Sequence, residues 1–380
     1  MIPRLLEKDV KAVLDEGGKI VMLYGPRQAG KTTLVRAVLA ERPGLKVLSL
    51  SGDDPADRRD LEGRDLASLR RLVAGYDCLF VDEAQRVSGI GLSLKLLHDA
   101  DAGLRILATG SSSFELAART AEPLTGRART FTLYPVAVAE LAAFEDRRDL
   151  GRDLDDFLVY GFYPEVRTAI GRDAKRRVLK EIAEAYLYKD VIEFGGIRHS
   201  DRIHDLLRLL AFQVGSEVSI AELASSLGLG RDTVDRYIDV LEKAFVVFRQ
   251  RGYSRNLRKE VTKMDKIFFH DVGIRNMVIG NLAEPALRDD TGRLWENFLT
   301  AERRKILDYS HSYALSWFWR LRTGAELDYV EERDGQLGGY EFKYGVKSPR
   351  APEAWTTTYP GSSYTVVNRD TWLEFVLETS

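Results

Sequence analysis

The sequence predicts an α/β protein of several domains, with a parallel, phosphate-binding sheet in front and smaller modules behind it. Three observations predict this. Short apolar runs alternate with helical patterns over about the first 110 residues, the signature of a parallel sheet with crossover helices. A Gly-rich turn joins the first apolar run to the first helix. Past residue 200 the pattern changes to two closely spaced helices with two strand-like runs, and then to a long helix followed by strand candidates.

Composition sets the frame. At 380 residues the chain can bury two or three separate cores. Hydrophobic content of 44% with 30% charged residues is that of a soluble globular protein. No apolar run approaches the roughly 18 residues that span a bilayer. The opening "MIPRLLEKDVKAVLDEG" reads as an amphipathic helix without a signal peptide's apolar centre, so a cytoplasmic protein with no membrane partner is expected. Cys78 is the only cysteine, which excludes an intrachain disulfide. A net charge of −2 means that any nucleic-acid binding has to come from local basic patches. There is no internal repeat and no low-complexity tract.

Strands are expected at 20–24, 46–50, 78–81 and 104–109, and helices at 33–41, 65–74 and 91–99. The first strand runs into "GPRQAGKT", which matches G-x-x-x-x-G-K-[ST]. The nucleotide-binding stretch is Gly25, Pro26, Arg27, Gln28, Ala29, Gly30, Lys31, Thr32 and Thr33. Gly25 and Gly30 let the backbone wrap a phosphate with its N–H groups inward, and the helix that follows adds its positive end. Lys31 supplies a charge to the β- and γ-phosphates, and the Thr32 hydroxyl is a ligand for Mg²⁺. "YDCLFVDEAQRV" supplies the second half: Asp82 for the Mg²⁺ shell and Glu83 to polarise the attacking water. ATP and Mg²⁺ are the expected cofactors, and hydrolysis the expected reaction. Thr109 or Ser111, at the tip of the strand in "LRILATGSSS", is placed to sense the γ-phosphate from between the two motifs, the alternative being an ordinary Ser-rich turn. In "LTGRARTFTLYPVAVAEL", Arg127 and Arg129 are expected on a loop before another strand. In a ring of copies such an Arg reaches a neighbour's γ-phosphate; the alternative is a solvated pair.

The middle of the chain reads as a winged helix. A helix at 220–226 meets the turn "GLG", and a second starts near Arg231 with Val234, Ile238, Leu241 and Phe245 on one face. "FVVFRQR" and "KIFFHD" are strands flanking a basic loop. From Arg249 to Lys266 there are seven Lys or Arg against Glu260 and Asp265. Arg249, Arg251, Arg255, Arg258 and Lys259 are candidate phosphate contacts, and Tyr253 is a candidate for stacking on a base or sugar. Few residues are placed to read base edges, so binding is expected to be largely sequence-independent. The alternative is a winged helix that packs against protein.

In the last hundred residues, "TGRLWENFLTAERRKIL" is helical and carries Glu296, a strand ends near Asp328, and "GGYEFKYG" is a strand with Glu341 and Lys343 on one side. Two carboxylates that hold a divalent metal and a Lys that orients water form the PD-(D/E)xK nuclease arrangement, so Glu296, Asp328, Glu341 and Lys343 are a candidate nuclease-like site. The alternatives are a charged hairpin facing solvent, or a nuclease fold kept for DNA contact or packing. Leu327 and Tyr329 flank Asp328, so no second acid adjoins it.

Taken in order, "MIPR", "LYGPRQAGKTTL", "LFVDEAQ", "LATGSSS", "GRARTFTLYPVAVAEL", "YGFYPEV", "YLYKDV" and "GRLWENFL…GAELDYV…YEFK" resemble prokaryotic AAA-type ATPases that carry a C-terminal region of unknown function. The resemblance covers nearly the whole chain. It implies a P-loop AAA+ core (1–140), a helical lid or linker (141–199), a winged helix-turn-helix (200–275) and an α/β restriction-endonuclease-like domain (276–380). It also implies that Lys31, Thr32, Asp82 and Glu83 form the ATP site and that Arg127 acts in trans. The leading expectation is an ATP-driven DNA motor, a helicase or translocase on forked or branched DNA such as Holliday junctions, working as a homo-oligomeric, hexameric ring. The alternatives are an ATP-gated, metal-dependent nuclease and a non-motor NTPase switch in defence or signalling.

Overall fold

In the computed structural model, residues 2–62, 65–111, 124–185, 200–254 and 265–378 are described. The chain divides into two compact units, Met1–Pro135 with Lys243–Phe245, and Val136–Glu242 with Val246–Ser380.

The first unit is built on a parallel sheet of β1 (Ile20–Tyr24), β2 (Val47–Ser51), β3 (Cys78–Asp82), β4 (Arg105–Gly110) and β5 (Ala128–Thr132), in the order β2-β3-β4-β1-β5. Every pairing is parallel. β1 is buried along its whole length, as a central strand covered on both faces must be. The helices Lys31–Ala40, Leu66–Leu72 and Ile90–Ala100 fall where the 3.6-residue period put them. A further helix, Pro55–Leu61, has Pro at its start and an Asp54 carboxylate that accepts from the Ala56 N–H at 2.7 Å. β4 lies between β1 and β3, so its carboxyl end opens between the phosphate loop after β1 and the acidic pair after β3. Arg129 sits within β5, paired with Val21, rather than on a loop. Cys78 is buried in β3, and burial pushes its thiol up to about 12.

The second unit is mostly helical before residue 243. The helix Ile220–Leu227 is capped by Ser219 and ends at Gly228 in the left-handed region (φ 64°), and Arg231–Lys243 follows. Val234, Tyr237, Ile238 and Leu241 are its buried face. Phe245 lies past the end of that helix. β6 (Val247–Gln250) and β7 (Lys266–Phe269) form an antiparallel pair. The helix Thr291–Tyr309 then leads to a four-stranded sheet of β8 (Leu315–Arg320), β9 (Glu326–Arg333), β10 (Gln336–Phe342) and β11 (Ser363–Val367), in the order β11-β10-β9-β8. Asp334 and Gly335, both at positive φ, turn β9 into β10, the two-residue hairpin that Asp-Gly favours. Asp328 is near the start of β9, not at its end as the sequence suggested. Trp295, Phe298 and Trp372 anchor the long helix, with ring centroids 5.5–6.4 Å apart. Among the described residues no helix is long and apolar enough to cross a membrane.

Candidate functional site

The phosphate loop is preformed by backbone demands that only particular residues meet. Gly25 has φ 147°, and a Cβ there would lie 2.0 Å from the Leu133 carbonyl oxygen, so the loop can leave β1 only through glycine. Gln28 (φ 58°) and Gly30 (φ 98°) complete the turn. Pro26 and Ala29 are buried, Arg27 is half-buried, and Gln28 and Thr33 are exposed. Lys31 opens the helix and is itself buried, its Nζ donating to the Gly25 and Pro26 carbonyls at 2.8 and 2.9 Å. The ammonium thus sits inside the loop it would neutralise. Arg4 holds the loop from outside, donating to the carbonyls of Ala29 and Tyr134, each at 2.6 Å. Sequence reasoning had quoted "MIPR" without giving Arg4 a role, since nothing local signals a contact 25 residues away.

Across the loop, the Thr32 hydroxyl is 2.9 Å from both Asp82 carboxylate oxygens. The two residues expected to serve Mg²⁺ are therefore in contact. Mg²⁺ takes one or two protein oxygens and completes its shell with phosphate and water, and this pair fits that demand. Glu83 follows in the left-handed region (φ 48°), which turns its side chain off the line of β3. The Thr109 hydroxyl donates to Asp82 and accepts from the Glu83 N–H (3.2 Å). Ser111 is 2% exposed and accepts from Gln85 at 2.8 Å. Thr109 is thus committed to the acidic pair, which leaves Ser111 as the sensor candidate. Gln85, inside the quoted motif but not singled out, also donates to Glu83.

Arg127 is at the other end of the sheet. Its backbone carbonyl accepts from the N–H of Ile20, the first residue of β1, so a strand length of about 13 Å separates it from its own phosphate loop. Its guanidinium donates through Nε and Nη2 to the two carboxylate oxygens of Asp99, at 2.6 and 2.9 Å. Lys31, Thr32, Asp82, Glu83, Thr109 and Ser111 come together in one site, and Arg127 does not join them.

The basic strip changes more. Arg249 was expected to face phosphate. Its guanidinium is instead engaged by Asp235 at 2.8 Å, Asp239 at 2.7 Å and Glu242, all on the helix Arg231–Lys243. Tyr253 was expected to stack on a base. Its ring is 7% exposed and packs edge-on against Trp317 and Tyr359, with centroids at 5.1 and 5.4 Å. The sequence could not show that an aromatic residue beside a basic run completes a Trp-rich core whose other buried members lie 66 to 106 positions later. Arg251 is exposed. Arg255, Arg258 and Lys259 lie outside the described residues.

In the terminal sheet, Tyr329 pairs with Tyr340 at the end of the β9–β10 ladder, which makes Asp328 and Glu341 the next residues on the two strands, and the Phe342 N–H donates to Asp328 at 2.7 Å. Lys343 meets Glu341 at 2.5 Å. Glu296, on the long helix, does not face open space. It receives the Lys266 ammonium of β7 at 2.7 Å, both side chains being nearly inaccessible. Burial pushes the Glu296 carboxyl up to about 8, with the charge of Asp328 adding to the shift and Lys266 opposing it. Burial also raises Asp328 and Glu341. Burial works against the Lys266 ammonium, but the carboxylates of Glu296 and Asp328 outweigh it and raise its pKa. Lys266 was read only as one of the basic strip, so this partnership was missed. Among the described residues no group of three or more His, Cys, Asp or Glu side chains is arranged to hold a metal ion. The residues do not fit a catalytic divalent cation: the buried charge that answers Glu296 and Asp328 is an ammonium of the chain itself.

Comparison with known proteins gives a consistent picture. The family described as "AAA domain" matches residues 17–142. The families described as "Domain of unknown function (DUF8612)" and "Domain of unknown function (DUF4143)" match residues 151–284 and 291–375. Uncharacterized protein Rv2008c of Mycobacterium tuberculosis and Uncharacterized protein Mb2031c of Mycobacterium bovis are each 30% identical over 329 residues, which is 85% of this chain and 70% of theirs. Uncharacterized protein MJ1544 of Methanocaldococcus jannaschii is 23% identical over 347 residues, 86% of this chain and 75% of its own. Among solved structures, the Walker-type ATPase PABY2304 of Pyrococcus abyssi superposes with a TM-score of 0.52 at 17% identity, covering 73% of this chain and 96% of that one. At that identity the likeness speaks for the fold alone. With a parallel sheet in the order β2-β3-β4-β1-β5 and a phosphate loop facing an acidic pair, the chain is an ATPase of the AAA+ type, and it belongs to the same family as Rv2008c and Mb2031c.

Proposed function

We propose that the chain is a Mg²⁺-dependent ATP-driven motor that works on forked or branched DNA, Holliday junctions included, as a ring of identical copies. The observation that carries the hydrolytic part is the direct contact of Thr32 with Asp82, with Glu83 next to it. In this reading Lys31 and the loop N–H groups bind the β- and γ-phosphates. Thr32 and Asp82 would hold Mg²⁺, which supplies charge neutralisation to the transferring phosphoryl group. Glu83 takes the proton of the attacking water, and Ser111 senses the γ-phosphate. The support for a ring is the position of Arg127, about a strand's length from its own phosphate loop, so that a γ-phosphate it reached would be a neighbour's. Its contact with Asp99 would have to open for it to do so.

For DNA the support is narrower. The helices Ile220–Leu227 and Arg231–Lys243 with the β6–β7 pair fit a winged-helix module, and Arg251 is exposed beside the basic run. The four-stranded terminal sheet with its long helix fits an endonuclease-like domain, used in this reading for structure or DNA contact and not for cutting. A second reading, an NTPase switch that changes protein partners with nucleotide state, is favoured by one observation: Arg249 and Tyr253 are spent on internal contacts.

The test is strand separation of end-labelled forked and four-way junction DNA, comparing the full chain with Glu83→Gln. Intact strands released only with ATP, and not by the variant, bear out the motor. An ATPase rate unmoved by any DNA, with no strand released, rules it out in favour of the switch. Shortened strands would return the terminal sheet to consideration as a nuclease.

A further inference from the structure

We propose that Gln85 is a positioning residue that links the sensor Ser111 to Glu83, so that Glu83 is set for proton transfer through the same side chain that touches the γ-phosphate sensor. The inference rests on the reading of Glu83 as the group that polarises water.

The argument begins with the backbone. Glu83 is pinned on both sides: its N–H donates to Thr109, and a Cβ on the facing Gly52 of the β2 end would lie 2.2 Å from its carbonyl oxygen. The residue is held at φ 48°, which costs about 1 kcal/mol or more for a side chain of this kind. That conformation gives its carboxylate a fixed root but leaves χ angles to be fixed by something else. Gln85, on the single 3₁₀ turn Ala84–Arg86, supplies this. Its amide nitrogen donates to Glu83 Oε2 at 2.5 Å and to Ser111 Oγ at 2.8 Å. The amide orientation follows from chemistry, since an ionised carboxylate only accepts and the NH₂ must face it.

Two consequences follow. With a lone pair of Ser111 Oγ taken by Gln85, its hydroxyl hydrogen is free to donate elsewhere, and the carboxyl end of β4 opens between the two motifs, where the γ-phosphate is expected. A phosphate oxygen accepting from Ser111 then completes a continuous set of hydrogen bonds from phosphate to Ser111 to Gln85 to Glu83, in which the Gln85 NH₂ donates to both of its neighbours and ties their positions together. Gln85 has no freedom to swing out, because it is 1% exposed. Among the described residues its amide oxygen has no donor, whereas a buried amide kept only for packing is normally satisfied at both ends. Both of its N–H groups are spent on the two residues that the reaction uses.

The experiment is steady-state hydrolysis of ATP by the full chain, with binding of a fluorescent ATP analogue measured beside it. Gln85→Ala, and Gln85→Met as a variant that keeps the packing, are compared in the parent and in a Glu83→Gln background. The expected result is a fall in kcat of about 100-fold, the lower end of what a general base contributes, with KM and analogue affinity moved less than about threefold. In the Glu83→Gln background neither change at 85 lowers the residual rate further, because the residue acts through Glu83. Parent-like kcat in Gln85→Met overturns the inference, and so does an equal further loss on top of Glu83→Gln. Full activity in Glu83→Gln alone overturns the assignment of Glu83, and this inference with it. A fall in Gln85→Ala confined to analogue affinity assigns Gln85 to binding and also overturns it.

Discussion

Two buried lysine–carboxylate regions among the described residues, one at Lys31 and one at Lys266, are organised in opposite ways. In the phosphate loop, Lys31 is held by the backbone carbonyls of Gly25 and Pro26. Asp82 is matched by two hydroxyls, Thr32 and Thr109, which carry no charge. Its cation and its anion are kept apart by partners that a phosphate and a metal can replace at small cost. In the terminal region, Lys266 is bonded directly to Glu296, with Asp328 next in its field. There the charges answer each other. A ligand entering would have to break a buried ion pair, which costs several kcal/mol before any binding is gained. The first region is built to receive charge and the second to contain it.

The largest test of that contrast is Lys31→Ala. The phosphate loop keeps its backbone shape, but the charge for the β- and γ-phosphates is gone, so kcat/KM for ATP should fall about a thousandfold, read by phosphate release. Melting temperature should change little, because the Gly25 and Pro26 carbonyls that hold Lys31 carry no full charge. In Lys266→Met the order reverses. Removing the ammonium takes away the cation that answers Glu296 and Asp328, a destabilisation of about 3–5 kcal/mol where both carboxylates are ionised and a smaller one below pH about 8, where Glu296 holds its proton, while ATPase activity per folded molecule should stay close to the parent. The double variant Lys266→Met, Glu296→Leu should recover much of that loss, as replacement of a whole pair by apolar groups does. A Lys266→Met protein as stable as the parent would show that the pair contains nothing and would break the comparison.

The acid–base behaviour of the terminal region sharpens it further. Glu296 holds its proton up to about 8 in the folded chain, against about 4.3 in an unfolded one. The folded state therefore binds the extra proton within that window. The stability this group contributes is fully present below the unfolded pKa and is lost as pH rises through about 8. Glu296→Gln removes that dependence. Denaturant unfolding from pH 5 to 8.5 should show a shallower decline in the variant, though not a flat one, because Asp328 and Glu341 are raised by burial as well. An identical slope in both proteins would show that Glu296 is ionised throughout and that Lys266 alone satisfies it.

The two regions also differ in how legible they were from the sequence. The phosphate loop is local: Gly25, Gly30, Lys31 and Thr32 are adjacent in the chain, and strand alternation alone brings Asp82 and Glu83 to the same sheet edge. Its spacing is set by backbone geometry, so spacing reveals it. The terminal region is assembled from a helix, a hairpin and a strand of the preceding β6–β7 pair. Spacing in "DYV…YEFK" correctly set Asp328 against Glu341 and Lys343, because a hairpin register is local too. What it could not carry was Lys266, which arrives from 30 residues before Glu296 and decides the charge of the whole cluster. Tyr253 and Arg249 failed for the same reason. Each has the chemistry of a surface contact, and only the packing of distant elements shows what it touches.

Arg4 gives the smallest and most local test, on the edge of the first region. It ties the Ala29 carbonyl to that of Tyr134, and so fixes the far side of the loop. Arg4→Ala removes two hydrogen bonds made by a charged group, worth about 1.5–3 kcal/mol each at most and less where solvent replaces them. If the loop is preformed in order to receive phosphate, the loss should be felt in binding before it is felt in the chemical step. KM for ATP should then rise about fivefold to tenfold with kcat nearly intact. A fall in kcat with KM unchanged would mean that the loop settles correctly around nucleotide without Arg4. The ready-made cradle would then be a product of binding, and the contrast between a region built to receive charge and one built to contain it would rest on Lys31 and Asp82 alone.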